Sequence, residues 1–227
     1  FDSGKLGVLL NVGSLIQKTS KAQYTNKTVP LPPKLFSHND QQSIWQSSAP
    51  EGAVSGWGGR MGDLFVSGNG KATFTCVNVS GNAVFLSGNQ AVQYQVTSNG
   101  SVPLNGLSAP VFGSSACSDA LRQLVTQSRM HLFENEYNRV SARSIEADQI
   151  LSTALASAPP INTTFPADNR LASQLKMVAR MIASASALSA KRQVFFVSLG
   201  GFDTHDGLLT EHPVLLKTVA DALAAFY

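Results

Sequence analysis

The chain has 227 residues, of which 43% are hydrophobic and 14% charged, and this balance excludes a disordered chain. Its length allows one substantial domain with a hydrophobic core. The net charge of +3 comes from scattered Lys and Arg residues rather than a basic stripe, so no nucleic-acid partner is expected. The longest apolar runs, such as residues 194–199, are too short to span a bilayer, so no membrane span is expected in this chain.

Both ends of the chain suggest a fragment or a processed and truncated chain. No initiator Met or signal peptide is present, the chain opens close to the apolar segment 6–12, and it stops inside an amphipathic pattern. The absence of a targeting segment therefore says nothing about the location of the parent protein.

Cys76 and Cys117 are too few for a zinc cluster. Buried thiols and a disulfide in an oxidising compartment both remain open.

The first third of the chain predicts a strand followed by a helix. LGVLLNV, residues 6–12, has the continuous apolar character of a buried strand. After the prolines of VPLPPKLF, Ser37 stands where an N-cap would stand and Asp40 lies in the first turn, which predicts a helix over residues 38–48. GAVSGWGGRMGDLF then predicts a glycine-rich loop that leads into a short helix or turn near residues 61–65.

Residues 71–112 differ in character from their surroundings. KATFTCVNV, AVFLSG and AVQYQVTS are short β-branched runs cut by Gly-Asn, Asn-Gly and Ser-Gly pairs. This pattern is typical of strands joined in hairpins, so the segment is predicted to be a small β-rich insert.

The remainder of the chain is predicted to be mainly helical. A long helix is expected over residues 119–158, partly exposed or broken in its polar middle ENEYNRVSARS. A second helix, capped by Asp168 or Asn169, is expected to run to about residue 190.

A strand over residues 193–199 follows, with a last helix from about His212 or Pro213. The order of elements predicts an α/β fold with a mixed or parallel central sheet. In such sheets, ligands bind beyond the carboxyl ends of the strands.

The motif FDTHD lies just beyond the end of the strand predicted over residues 193–199. Carboxylates and neutral imidazoles are common ligands of zinc and other divalent ions. If the backbone is locally extended, Asp203 and His205 share one side and both reach one ion, whereas Asp206 points elsewhere. The alternative is a turn that caps the following helix. A second histidine nearby, His212, is a possible third ligand or a capping residue.

Two further motifs contain candidate catalytic residues. In SHNDQQ, Ser37 lies at a helix N-terminus, a setting that favours an alkoxide or a bound oxyanion. The alternative is an ordinary N-cap serine, with His38 and Asp40 as surface groups or orienting partners. In GWGGR, Arg60 beside Trp57 could clamp an oxyanion, or it could only tie down a loop.

These motifs together carry a family resemblance. LFSHNDQQSIWQS, SGWGGRMGDLF and VFFVSLGGFDTH, followed by HPVLLKTVADALAAF, resemble the bacterial family catalogued as domain of unknown function 1501. GGFDTH and the Ser-His near Gly-Trp-x-Gly-Arg are the specific parts. That family is placed among alkaline-phosphatase-like and sulfatase-like proteins. The resemblance implies a three-layer α/β/α core with a mostly parallel sheet and a small β-hairpin insert at 71–112, forming a single partial domain over residues 1–227.

The resemblance also implies a role for each matching residue. Asp203 and His205 would bind divalent metal ions, which could be zinc, calcium or magnesium. Ser37 would sit near the nucleophile position, with His38 and Arg60 in the same catalytic group. Two departures stand out: the acid and histidine are spaced Asp-x-His instead of Asp-x-x-x-His, and the Cys-x-Pro-x-Arg signature of sulfatases is absent. A formylglycine mechanism is therefore not expected.

The family pattern extends beyond both ends of this chain. Members usually start with a twin-arginine signal and a strand ending in Gly-Gly-x-Asp-Gly, and they end with a histidine-containing segment. We therefore expect the chain alone to lack a full metal site and to be inactive. The resemblance implies a periplasmic or extracellular location.

The function expected for the intact parent is metal-assisted hydrolysis of a phosphate or sulfate ester, with Ser37 as the attacking group. The substrate could be a sulfated or phosphorylated glycan. The main alternative is a non-catalytic extracytoplasmic protein that binds such a glycan or assists in assembly. A third possibility is a purely structural FDTH motif.

Overall fold

The computed structural model describes residues 4, 7–9, 12–107 and 109–227. The α-helices are α1 Lys21–Thr25, α2 His38–Ser47, α3 Trp57–Val66, α4 Ser115–Thr126, α5 Leu132–Ala156, α6 Arg170–Ala183 and α7 Leu208–Phe226. The strands are β1 Cys76–Asn78, β2 Gln93–Gln95 and β3 Val194–Phe196. Within the described ranges, no helix combines the length and the apolar character needed to cross a bilayer. The strand predicted over 6–12 includes residues 6, 10 and 11, which lie outside the described residues.

The three strands form one parallel sheet in the order β2-β1-β3, which confirms an α/β fold. Val77 of the central strand pairs with Tyr94 on one side and Phe195 on the other. A hairpin between β1 and β2 is therefore wrong, although Thr97 and Gly100 form an isolated antiparallel bridge across a tight turn at the predicted Asn-Gly pair. β1 and β2 are parallel, and parallel neighbours need a crossover of about a dozen residues or more instead of a tight turn. That crossover contains a 3₁₀ turn, Val84–Leu86, where a strand was predicted.

Apolar side chains cover both faces of the sheet. On one face, Val77 and Phe74 pack with Leu151 of α5 and with Met177 and Met181 of α6. On the other face, a second cluster contains Cys76, Ala83, Phe85, Leu86 and Ala91, with Phe196 packed against it. The central strand β1 is buried along its whole length, whereas β3 at the sheet edge is half-buried although it lies in the apolar run VFFVSL. The three-layer α/β/α core of alkaline-phosphatase-like proteins stays a prediction for this chain.

The helix α3 begins at Trp57, so the loop predicted over residues 57–60 is wrong. Its glycines form a packing surface. A Cβ atom on Gly59 would lie 2.1 Å from the Ser87 carbonyl carbon, and one on Gly62 would lie 2.3 Å from the Cys76 Sγ atom. The glycines let the helix backbone approach the 84–88 segment and β1 more closely than any side chain would allow.

The long helix predicted over residues 119–158 is two helices, α4 and α5. The break falls at residues 127–131, not in the polar middle of α5. Side chains of α5 stabilise the break: the Asn138 amide donates to the carbonyl oxygens of Leu124 and Gln127 at 3.2 and 2.7 Å. The polar residues that suggested a broken helix therefore cap the C-terminus of α4.

The other helix boundaries are partly as predicted. Asn169 caps α6 by accepting a hydrogen bond from the Ala172 N–H, but the helix ends at Ala183. The helix α7 begins at Leu208, earlier than predicted, and contains Pro213 in its second turn.

The two cysteines are free. Cys76 is buried under α3, where burial and then the nearby Asp63 carboxylate raise the pKa of its thiol to about 11. Cys117 is exposed on α4. Of the two open possibilities, the buried thiol is confirmed for Cys76.

The close approach of α3 generates a stability prediction. Replacing Gly59 with Ala should lower the free energy of unfolding by about 1–3 kcal/mol, because the new methyl group overlaps the Ser87 carbonyl group. Urea-induced unfolding measures the difference.

The matched control is Leu64→Ala, because the Leu64 side chain on the same helix is 78% exposed. It should change the free energy of unfolding by no more than about 0.5 kcal/mol. Helix propensity alone favours alanine over glycine by about 1 kcal/mol. A more stable Gly59→Ala variant would therefore contradict the packing role.

Candidate functional site

A local hydrogen-bond network fixes the start of α2. The Ser37 Oγ atom accepts from the Asp40 N–H at 3.4 Å, as predicted for an N-cap. The buried Asp40 carboxylate accepts from the Glu51 N–H at 2.9 Å and pairs with the Lys34 ammonium group at 3.3 Å. Hydrogen bonds from Ser37 and Glu51, together with Lys34, lower the pKa of Asp40. Asp40 is therefore ionised at neutral pH and anchors the turn that carries Ser37 and His38.

An aromatic chain connects α2 to the end of β3. The Trp57 indole N–H donates to the Trp45 carbonyl oxygen at 3.0 Å, and the Phe85 N–H donates to the Gln46 side chain at 3.1 Å. The Trp57 and Phe85 rings meet edge to face at 4.3 Å, and Phe85 contacts the Phe196 ring at 5.3 Å. These contacts hold the helix that begins at His38 beside the last residue of β3.

The segment after β3 leaves the sheet through a glycine with a left-handed backbone. Gly201 has φ of 98°, a conformation that favours glycine. A turn follows, closed by the Gly207 N–H donating to the Thr204 carbonyl oxygen at 2.7 Å. His205 lies within this turn at φ of 40°. The extended backbone expected for the FDTH motif is therefore wrong at His205.

His38, Asp203 and His205 nevertheless come together, and we call them the His-Asp-His cluster. The His205 Nε2 atom lies 3.0 and 3.1 Å from the two Asp203 carboxylate oxygens. The His38 Nε2 atom lies 3.6 Å from the Asp203 Oδ2 atom. One carboxylate thus contacts imidazoles from two distant parts of the chain, and all three side chains are more than half exposed to solvent.

The donor atoms of the cluster are of the types that bind metal ions, and two of their pair distances suit such a site. Bonds of about 2.1 Å in a tetrahedral zinc site place neighbouring donor atoms roughly 3.4 Å apart, and both imidazole–carboxylate distances are close to this value. Within the described ranges, however, no three His, Cys, Asp or Glu residues are arranged to hold an ion together. The cluster therefore supplies candidate ligands and not a complete donor set.

The structure does not join the other predicted residues to the cluster. Ser37 precedes His38, but in the described part of the chain its hydroxyl contacts Asp40 and makes no hydrogen bond to the cluster. Arg60 lies on α3 instead of a loop, and its Nη1 atom is 3.5 Å from the Ser55 Oγ atom.

His212 was expected to be a third ligand or a cap. Its Nε2 atom instead lies 3.4 Å from the carbonyl oxygen of Phe202, and the two rings pack edge to face at 5.7 Å. His212 on α7 therefore anchors the residue directly before Asp203, and it acts as a positioning group.

Sequence reasoning missed a cleft beyond the carboxyl ends of the strands, which we call the edge cleft. Its volume is about 710 Å³. The loops that follow all three strands and the first turns of α6 line it, namely Val79, Ser80, Gly81, Gln95, Val96, Thr97, Ser98, Arg170, Ser173, Gln174, Ser198, Leu199, Gly200 and Gly201. No local motif marks these residues, because only the parallel pairing of the strands brings them together.

Comparison with models of protein families identifies the family of this chain. It belongs to the family described as Protein of unknown function (DUF1501), which matches residues 8–227. Comparison with curated proteins and with solved structures gives no match. The family resemblance predicted from the motifs is thus confirmed. The wider relation to alkaline-phosphatase-like and sulfatase-like proteins stays a prediction.

The loop that carries Asp203 can be tested with two neighbouring glycines. Gly201→Ala should lower the free energy of unfolding by about 1–2 kcal/mol, because alanine is strained at φ of 98°. Thermal unfolding monitored by circular dichroism checks this effect.

Gly200→Ala is the matched control. No heavy atom lies within 4 Å of a Cβ atom at Gly200, and its φ is outside the positive region. Equal losses of unfolding free energy in Gly201→Ala and Gly200→Ala would show that backbone strain at Gly201 does not shape the loop.

Proposed function

We propose that the intact protein is a divalent-metal-dependent hydrolase of phosphate or sulfate esters, and that this chain supplies part of its active site. The observation that supports the proposal is the approach of His38 to Asp203 and His205 beyond the carboxyl end of β3. In parallel α/β sheets this edge is where ligands bind. The exposure of the three side chains leaves them accessible to an ion and a substrate.

The donor chemistry favours zinc among the three candidate ions. Two imidazoles and one carboxylate suit zinc, whereas calcium and magnesium prefer oxygen ligands. Asp203 and His205 are the residues that would bind the ion first, and His38 would join them by moving closer, because the three described side chains are not arranged around one ion. When bound, such an ion would polarise the ester and lower the pKa of a water or hydroxyl group.

Ser37 is the proposed nucleophile because it directly precedes His38 at the start of α2. Attack by its Oγ atom on phosphorus or sulfur forms an ester with Ser37 and breaks the bond to the leaving oxygen, which takes up the proton that the Ser37 hydroxyl gives up. Water then cleaves the Ser37 ester. The ionised Asp40 holds the Ser37 turn in place. No described contact links Arg60 to the cluster, so we assign it no step.

The proposal extends to location and to the rest of the site. A periplasmic or extracellular protein, exported through a twin-arginine signal, is what the family resemblance implies. Further metal ligands would be needed to complete the site, because the described residues of the cluster do not form a full donor set.

A second candidate function is binding of an anionic glycan without turnover. The edge cleft favours this candidate, because it is polar and its charged lining consists of Arg170. In this case the His-Asp-His cluster would shape the loop and not perform chemistry.

The test uses variants of the full-length protein. Asp203→Asn and His38→Ala should each weaken zinc binding and slow hydrolysis of an aryl phosphate or aryl sulfate by about 100-fold or more, because each removes a ligand rather than only an outer partner. Ser37→Ala should abolish hydrolysis and leave the zinc content unchanged. Elemental analysis and steady-state kinetics give the two readouts.

Asp206→Asn provides the control within the same motif. Asp206 makes no hydrogen bond or ion pair with other described residues, so the Asp206→Asn variant should retain zinc binding and ester hydrolysis. A protein that carries no divalent ion, or a Ser37→Ala variant that still hydrolyses the ester, would refute the mechanism. Saturable glycan binding without turnover would favour the second candidate.

A further inference from the structure

The edge cleft contains one charged group among its lining residues. Arg170, the first residue of α6, lines it, whereas no Asp, Glu or Lys of the described chain does. Within the described ranges, the Arg170 guanidinium makes no hydrogen bond, ion pair or cation–π contact, whereas Lys217 on α7 is paired with Asp221. The cleft therefore presents an uncompensated positive charge with five N–H donors.

The loop walls add uncharged donors and acceptors. The backbone N–H groups of Gly200 and Gly201 have no hydrogen-bond acceptor in the described part of the chain. The Ser98 hydroxyl and the Gln95 amide also line the cleft and are exposed. These groups can bind hydroxyls and charged oxygens.

One wall is held rigidly against α6. The Gln174 side chain donates to the Ser198 carbonyl oxygen at 2.9 Å and accepts from the Ser198 N–H at 3.0 Å. This paired contact fixes the segment after β3 at a set distance from the first turns of α6. The cleft is thus pre-formed, and its volume of about 710 Å³ lies within the range of small-molecule pockets.

The lining also indicates what the cleft does not bind. No aromatic side chain is present for a base or an aryl ring to stack on, and no carboxylate is present for a cation. The chemistry that matches is a compact, hydroxyl-bearing molecule with one oxyanion group.

The edge cleft adjoins the His-Asp-His cluster through its own backbone. Gly201 lines the cleft, and Asp203 follows two residues later, which limits their Cα separation to about 7 Å. The Gly201 end of the cleft therefore lies close to Asp203.

We propose that the edge cleft binds the oxyanion-bearing part of a sugar phosphate or sugar sulfate, with Arg170 as its charge partner. The assignment of this ligand as a substrate rests on the proposed function, but binding itself does not require hydrolysis. Arg170 can hold a phosphate or sulfate group with two parallel hydrogen bonds.

The test is calorimetric titration of the full-length protein with a hexose phosphate, the matching hexose sulfate and the neutral hexose. We expect saturable binding of at least one charged sugar, and binding of the neutral hexose at least about tenfold weaker. Preference between the first two ligands shows which oxyanion is recognised. Arg170→Gln should weaken binding of the charged sugar by at least about tenfold. A loss of this size is expected from removing even one charge-assisted hydrogen bond.

Lys176→Gln is the matched control, because Lys176 is an exposed cation on the same helix outside the cleft. It should bind as the unaltered protein does. Ser98→Glu is a second variant at an exposed lining position, and its added carboxylate should also abolish binding of the charged sugars. Unfolding midpoints of all variants report whether they remain folded.

Failure of this inference can be distinguished from failure of the proposed function. Asp203→Asn, which should lose zinc, should retain binding of the charged sugar in the cleft, whereas Arg170→Gln should retain zinc. The inference is overturned if the unaltered protein binds neither charged sugar. It is equally overturned if the neutral hexose binds as tightly, or if Arg170→Gln and Ser98→Glu bind like Lys176→Gln.

Discussion

The close approach of α3 to the 84–88 segment is the contact on which the candidate site depends. A side chain on Gly59 would overlap the Ser87 backbone, so the helix can lie against this segment only because glycine is present. That approach places the Trp57 ring on Phe85, which in turn contacts Phe196 at the end of β3. Packing of small residues and aromatic rings thus sets the position of α2 relative to the sheet.

The chemistry follows from this arrangement. The helix α2 starts at His38, and β3 leads through a glycine turn to Asp203, so fixing one against the other brings an imidazole to a carboxylate. The same sheet edge opens into the edge cleft, where Arg170 is the one charged residue among the described residues that line it. The His-Asp-His cluster and the edge cleft therefore share the segment that follows β3. An ester hydrolase needs both, whereas a glycan-binding protein needs only the cleft.

Local signals were sufficient for part of this structure. The Ser37 and Asn169 caps, the helix that starts at His38 and the strand before GGFDTH all follow from short sequence patterns, since capping and periodicity act over a few residues. Three features did not follow from such patterns. They are the parallel pairing of β1 and β2, the helical course of residues 57–60, and the lining of the edge cleft. Each depends on contacts between residues far apart in sequence, and a glycine at a close contact resembles a glycine in a loop.

The central claim is that His38 and His205 act on one ligand together with Asp203. Nitrogen NMR of the labelled histidine side chains during a zinc titration tests it most directly. The account predicts that the His38 and His205 Nε2 signals shift together with one dissociation constant, while His131, the exposed cap of α5, stays unchanged. A response of His205 without His38, or equal shifts at His131, would contradict it.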